Sequence, residues 1–165
     1  IKQPHLQPAR NWFDYLLEGL GWLILLGTFW FTISSYADLG DEIPTHFDAL
    51  GNPNGYSKKA VLFLMPILSA ILYTSLYILN FYPHTFNYPV RITPENALHQ
   101  YRTATRMIRS LNLSMVVVFA LISWKMVRNA HGLNDYIGVF LLPLILLLVF
   151  VPIGYGLVRM GRGTK

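Results

Sequence analysis

The residues with the most obvious chemistry lie between positions 38 and 59. Asp38, Asp41, Glu42 and Asp48 sit there, half of the chain's eight acidic residues, together with His46. Carboxylate and imidazole are suitable ligands for a divalent cation, so Asp41, Glu42, His46 and Asp48 are a candidate metal set. Their spacing matches no strong metal motif. The favoured expectation is structural, with His46 hydrogen-bonded to the loop backbone. General acid–base catalysis needs groups that converge within hydrogen-bond reach, and one histidine among scattered carboxylates is ordinary surface composition. The chain has no cysteine, which removes thiolate nucleophiles, cysteine metal sites and disulfides. No catalytic, metal or cofactor residue is assigned, and the expectation is a protein that is not an enzyme.

A second group is basic. Arg102, Arg106 and Arg109 recur at i, i+4 and i+7 and share a helix stripe. Thr93 suits a helix N-cap, Pro94 the first helical position, and Glu95 the positive end of the dipole. The helix is expected to continue unbroken into the apolar run that follows. Leu98, Tyr101, Thr105 and Ile108 line a neighbouring face. A basic amphipathic helix lies in or near lipid headgroups, and its arginines also suit an acidic partner. Two contact surfaces are thus expected. One comprises His46, Phe47, Tyr56 and Lys58, the other Arg102, Arg106 and Arg109. The competing account is that both only anchor the protein.

Four apolar runs must position these groups. Residues 20–36, 60–82, 110–124 and 137–158 carry no Asp, Glu, Lys, Arg or His. With flanking residues, the spans are set at about 16–36, 60–82, 110–127 and 137–158. A bilayer crossing needs roughly 17–25 apolar residues as a helix, and lipid demands that every backbone group be paired internally. Hydrophobic residues are 53% and charged ones 13% of the chain. The expected fold is therefore an all-α membrane protein, a single domain over residues 1–165. It has four transmembrane helices, an ordered outward loop, and a cytoplasmic amphipathic helix leading into the third span.

Charge sets the expected orientation. Lys2, Arg10, Arg91, Arg102, Arg106, Arg109, Arg159, Arg162 and Lys165 fall on one side, against Lys58, Lys59, Lys125 and Arg128 on the other. The positive-inside rule puts the larger set, and with it both termini, in the cytoplasm. The net charge of +5 then reflects lipid headgroups rather than nucleic acid. The first fifteen residues lack an apolar core with a small-residue cleavage site, so no signal peptide is expected. Trp12, Phe13, Tyr15, Tyr36, Phe81, Tyr82, Trp124 and Tyr136 form interfacial belts.

Span interiors offer little chemistry. Proton relays and ion pathways need ionisable groups at depth, and haem iron needs an axial ligand. Thr28, Thr32 and Ser35 share a face that suits helix–helix contact. Pro66, Pro143 and Pro152 are expected to kink their helices. In the first loop, Gly51, Asn52, Pro53, Asn54 and Gly55 are dense turn chemistry, consistent with a short hairpin or a compact loop. Ile43, Phe47, Leu50 and Tyr56 are expected to cover the span ends.

The stretch DEIPTHFDALGNPNGYSKK, residues 41–59, resembles the signature of a bacterial membrane family. Ile43, Pro44, His46, Phe47, Gly51, Gly55, Tyr56 and Lys58 match it, with Tyr56 where Trp is frequent. That family is a domain of unknown function that also forms the N-terminal part of SdpI-type immunity proteins. The stretch YPVRITPENALHQYRTATRMIR, residues 88–109, resembles the cytoplasmic segment of short members from Bacteroidetes-type bacteria. The resemblance implies a bacterial inner-membrane protein. SdpI-type proteins protect a cell from a secreted toxic peptide and can sequester a repressor at the membrane. They carry further spans after this domain, which this sequence does not contain.

Three functions follow as expectations. The first is a non-catalytic membrane protein with a sensing, protective or interaction role. The second is an accessory subunit packed against other subunits of a larger membrane complex, such as a respiratory one. The third is an outward-facing membrane protein that binds a divalent metal or ligand. The partners expected are the lipid bilayer and other membrane-protein subunits, with no nucleic acid and no cofactor.

Overall fold

The structure is a computed structural model that describes residues 3–133 and 137–162. Lys2, Tyr136 and Lys165, used above for charge and interface placement, lie outside the described residues.

Helix α1 runs over Trp12–Tyr36. It starts upstream of the apolar run because Asn11 and Asp14 form a capping box. The Asp14 amide donates to Asn11 Oδ1 at 3.1 Å, and the Asn11 amide donates to Asp14 Oδ2 at 2.9 Å. Two orphan amides are thereby satisfied. Its buried positions are Asp14, Leu17, Gly21, Leu25, Thr28 and Thr32, the three-and-four spacing of one helix face. Thr28 and Thr32 share the buried face as expected, whereas Ser35 is half-buried.

Strands β1 (Glu42–Phe47) and β2 (Pro53–Lys58) form an antiparallel hairpin, so the all-α expectation is incomplete. Glu42 stands opposite Lys58 and Pro44 opposite Tyr56, and the register shifts around His46. Gly51 turns the hairpin at φ 80°, a left-handed conformation that only glycine adopts without strain.

A 3-10 turn, Lys59–Phe63, leads into α2, Leu64–Leu79. Pro66 lies in the first turn of α2, where its missing N–H costs nothing. It therefore shapes the start of this helix rather than kinking its middle. Helix α4, Ile137–Arg162, is continuous through Pro143 and Pro152.

Helix α3, Ala97–Ala130, is the hub on which α1, α2 and α4 each pack. Its 34 residues span about 51 Å at the α-helical rise, well beyond a hydrocarbon core of about 30 Å. The basic segment and the third span are thus one rod, as expected. The rod begins at Ala97 rather than after Thr93, because residues 93–96 close a turn first. The Thr93 amide donates to Asn96 Oδ1 at 2.9 Å, and Thr93 O accepts from the Ala97 amide at 3.0 Å. It ends in a Schellman motif. Gly132, at φ 71°, donates to Asn129 O, and Leu133 donates to Arg128 O.

Among the described residues four helices are long and apolar enough to cross a membrane, by length and composition, and they mark a multi-pass membrane protein. The segments between the helices gather at two ends. At the basic end, the N-terminal segment lies across the α2–α3 connection. Gln3 Nε2 donates to Phe86 O at 3.1 Å, Tyr101 Oη to Pro4 O at 3.0 Å, and the rings of His5 and His84 are 3.9 Å apart. Gln100 Nε2 reaches Met160 O at 3.0 Å and ties the last turns of α4 to the same end. At the other end, the hairpin packs on α3. Leu39, Ile43, Leu62, Met126 and Val127 form a core there, with Phe47 against it. Gly51 meets Gly138 backbone to backbone, so neither position has room for a side chain.

Candidate functional site

The basic end holds the densest polar architecture. Asp14 and Glu18 sit one turn apart on α1 and face Arg106 and Arg109 of α3. Arg109 Nε donates to Glu18 Oε1 at 2.6 Å, and Arg109 Nη1 lies 3.6 Å from Asp14 Oδ1. Arg106 Nε donates to Asp14 Oδ1 at 3.0 Å. Arg10 Nη1 joins from the N-terminal segment, 3.2 Å from Glu18 Oε2, and its guanidinium lies over the Phe81 ring. Asp14 and Arg109 are almost fully buried. Charged groups at such a site are tolerable only when paired and hydrogen-bonded, and here each is.

Tyr73 extends this brace to α2. Its hydroxyl donates to Glu18 O at 2.7 Å, and its ring covers Gly21 so closely that any Cβ there would collide with it. Asn112 Nδ2 donates in turn to Tyr73 O at 3.0 Å. Side chains that hydrogen-bond across helices hold membrane bundles together.

The three predicted arginines therefore have different roles. Arg109 is turned inward and consumed by α1. Arg106 is half-exposed and paired with Asp14. Arg102 is exposed and has no acidic partner among the described residues. The open basic face expected from their spacing is thus narrower than the sequence implied. Asp14 and Glu18 went unassigned in the sequence reading, although their i, i+4 spacing beside a capping asparagine was the available signal.

Arg102 and Arg106 instead line a cavity of about 560 Å³ between α3 and α4, with Phe13 of α1 at its edge. His99 and Arg159 line it with them, while Met107, Val151 and Tyr155 supply apolar wall. Gly156 faces Met107 so closely that a Cβ there would strike its side chain. This small residue lets α4 approach α3 just beside the cavity.

The hairpin presents the other predicted set. Ile43 is fully buried and Phe47 partly so. Leu50 and Tyr56 are 61% and 62% exposed, so they do not cover the span ends as expected. His46 and Lys58 are exposed as well. His46 packs its Cβ against Gly55 and makes no hydrogen bond to the loop backbone, contrary to expectation. The backbone is instead held by Asp48, which accepts from the amides of Leu50 and Asn52 at 2.9 and 2.8 Å and from Asn52 Nδ2 at 3.1 Å. The Asn52 bonds above all hold the Asp48 carboxyl below the usual aspartate range. Among the described residues no three His, Asp or Glu side chains come together as metal ligands. Asp41, Glu42, His46 and Asp48 are not brought together as one set.

Residues 23–70 match the profile of a domain of unknown function, DUF1648. The matched segment takes in most of α1, the whole hairpin and the first turns of α2. Nothing among curated proteins or solved structures matches the chain.

Proposed function

We propose that this is a non-catalytic protein of a bacterial inner membrane that acts by contact, with its hairpin as the recognition element. One observation carries the reading. The hairpin is fixed to the bundle through Ile43 and the Gly51–Gly138 approach, while His46, Tyr56 and Lys58 stay exposed on it. A rigid base carrying exposed aromatic and charged groups suits a binding surface. The profile match is centred on this same element.

In this reading the hairpin faces outward and both termini are cytoplasmic, on the strength of the charge asymmetry. The role is sensing or protection, as in the SdpI-type proteins that residues 41–59 resemble. A second reading has support from α4. Only 6% of its most apolar window is buried within the bundle, leaving a helix face free for another subunit of a larger complex.

The test is photo-crosslinking in intact cells from a reactive group placed at Tyr56, with a second placed at Phe150 on α4. A discrete adduct from position 56 that disappears with His46→Gln and Lys58→Gln, at unchanged thermal midpoint, supports the hairpin reading. A protein adduct from position 150 alone supports the subunit reading. Lipid adducts alone from both positions would defeat both.

A further inference from the structure

We propose that the cavity between α3 and α4 at the basic end is a binding site for one anionic phospholipid. Its phosphate would sit against Arg102 and Arg159, and an acyl chain would lie along α4. This inference does not depend on the hairpin reading.

Charge carries the first half. Arg102 and Arg159 have no acidic partner among the described residues, and Asp14 and Glu18 are already engaged by Arg10, Arg106 and Arg109. The lining therefore includes two guanidiniums without a carboxylate partner, together with the exposed His99. Guanidinium matches phosphate oxygens in geometry and charge.

Shape carries the second half. Below the arginines the wall is apolar, with Met107, Val151 and Tyr155. A second groove of about 530 Å³ continues down α4 over Pro143, Leu147 and Phe150, and it shares Val151 with the first. From Arg159 to Pro143 is about 24 Å along the helix axis at 1.5 Å per residue. A bilayer's apolar half is about 15 Å deep, with the interfacial region beyond it. The track thus has the length of one lipid from phosphate to chain end. A soluble phosphate compound would use the arginines and leave that track empty.

The experiment uses the full chain in nanodiscs of phosphatidylcholine doped with phosphatidylglycerol. Lipid retained after extraction is read by native mass spectrometry, beside the thermal midpoint. The wild type should retain phosphatidylglycerol over phosphatidylcholine. The double variant Arg102→Gln/Arg159→Gln should weaken that retention about tenfold or more, as expected for two headgroup contacts. Val151→Trp, which fills the apolar track, should weaken it with both arginines in place. Arg91→Gln, a basic residue outside the cavity, should not. Equal retention by the double variant overturns the proposal, and so does an equal loss in Arg91→Gln, which would mean diffuse surface attraction. Displacement of the lipid by inorganic phosphate, or full retention in Val151→Trp, would also overturn it, leaving an anion site without a lipid track. Should the double variant fail to fold, Arg159→Gln alone and Val151→Trp decide the matter.

Discussion

Arg109 of α3 donates to Glu18 of α1 at 2.6 Å across a sequence separation of 91 residues. This bond closes a cluster in which Arg10, Arg106 and Asp14 are the other members. Removing one partner of a buried pair leaves an uncompensated charge, a larger loss than the pair's own net contribution. Arg109→Gln should therefore destabilise the bundle by about 3 kcal/mol. Adding Glu18→Gln should cost less than the sum of the two single changes. Thermal or denaturant unfolding in detergent reads both. Strict additivity would show that the two side chains do not interact.

Gly21 supports the same brace sterically. A Cβ there would enter the Tyr73 ring, while Gly19, two residues earlier, has open space around its own. Gly21→Ala should cost about 2 kcal/mol through overpacking and loss of the Tyr73–Glu18 bond. Gly19→Ala should be neutral or stabilising by up to about 1 kcal/mol through helix propensity. Matching effects at the two positions would contradict the packing described.

Hydropathy alone reads the four long helices, because in lipid a long uncharged run has no other backbone solution. It does not read where α1 begins. Trp12, Phe13 and Tyr15, expected as an interfacial belt, form the first turn of α1, and only Asn11 with Asp14 marks the cap. Nor does it pair the stripes. Asp14 and Glu18 complement Arg106 and Arg109 in spacing, but their meeting is fixed by how α1 docks on α3. The neighbour of α4 was unreadable for a different reason. Its residues are apolar all round, so no stripe points to a partner. In the hairpin, the turn glycine Gly51 was legible, yet the exposure of Tyr56 follows from strand register, which composition does not set, and Leu50 is exposed in the turn between β1 and β2.

Orientation is testable because the hydrogen bonds of the N-terminal segment put residues 3–10 beside the α2–α3 connection. Single cysteines at Gln7 and Arg91 should share one labelling side, and a cysteine at Gly40 should take the other. With the basic end in the cytoplasm, an impermeant maleimide added to intact cells should label only Gly40→Cys. Labelling of Arg91→Cys from outside would reverse the orientation proposed.

Phe47 and Tyr56 separate burial from exposure within one hairpin. Phe47 packs on the Leu39–Ile43–Leu62 core, while Tyr56 is 62% exposed. Phe47→Ala should lower stability by about 2 kcal/mol, the value of one largely buried aromatic side chain. Tyr56→Ala should leave the thermal midpoint unchanged. A fall of equal size in both would mean that Tyr56 is covered by something further.

Asp48 makes the hairpin turn sensitive to acid. Its carboxylate accepts from the Asn52 amide and side chain and from the Leu50 amide, and these bonds favour the charged form. The folded carboxyl therefore titrates below its unfolded counterpart, near 3.9 for a free aspartate. A depressed acid gives stability that is complete above the unfolded value and is lost as pH falls through the folded one. The turn should hold unchanged from neutral pH down to about 4 and loosen only below that. Amide hydrogen exchange at Leu50 and Asn52, corrected for the intrinsic pH dependence, reports this locally while the apolar helices remain folded. Asp48→Asn should give the looser turn at every pH and abolish the acid transition. If protection at Asn52 already fell between pH 7 and 5, a different group would be in control.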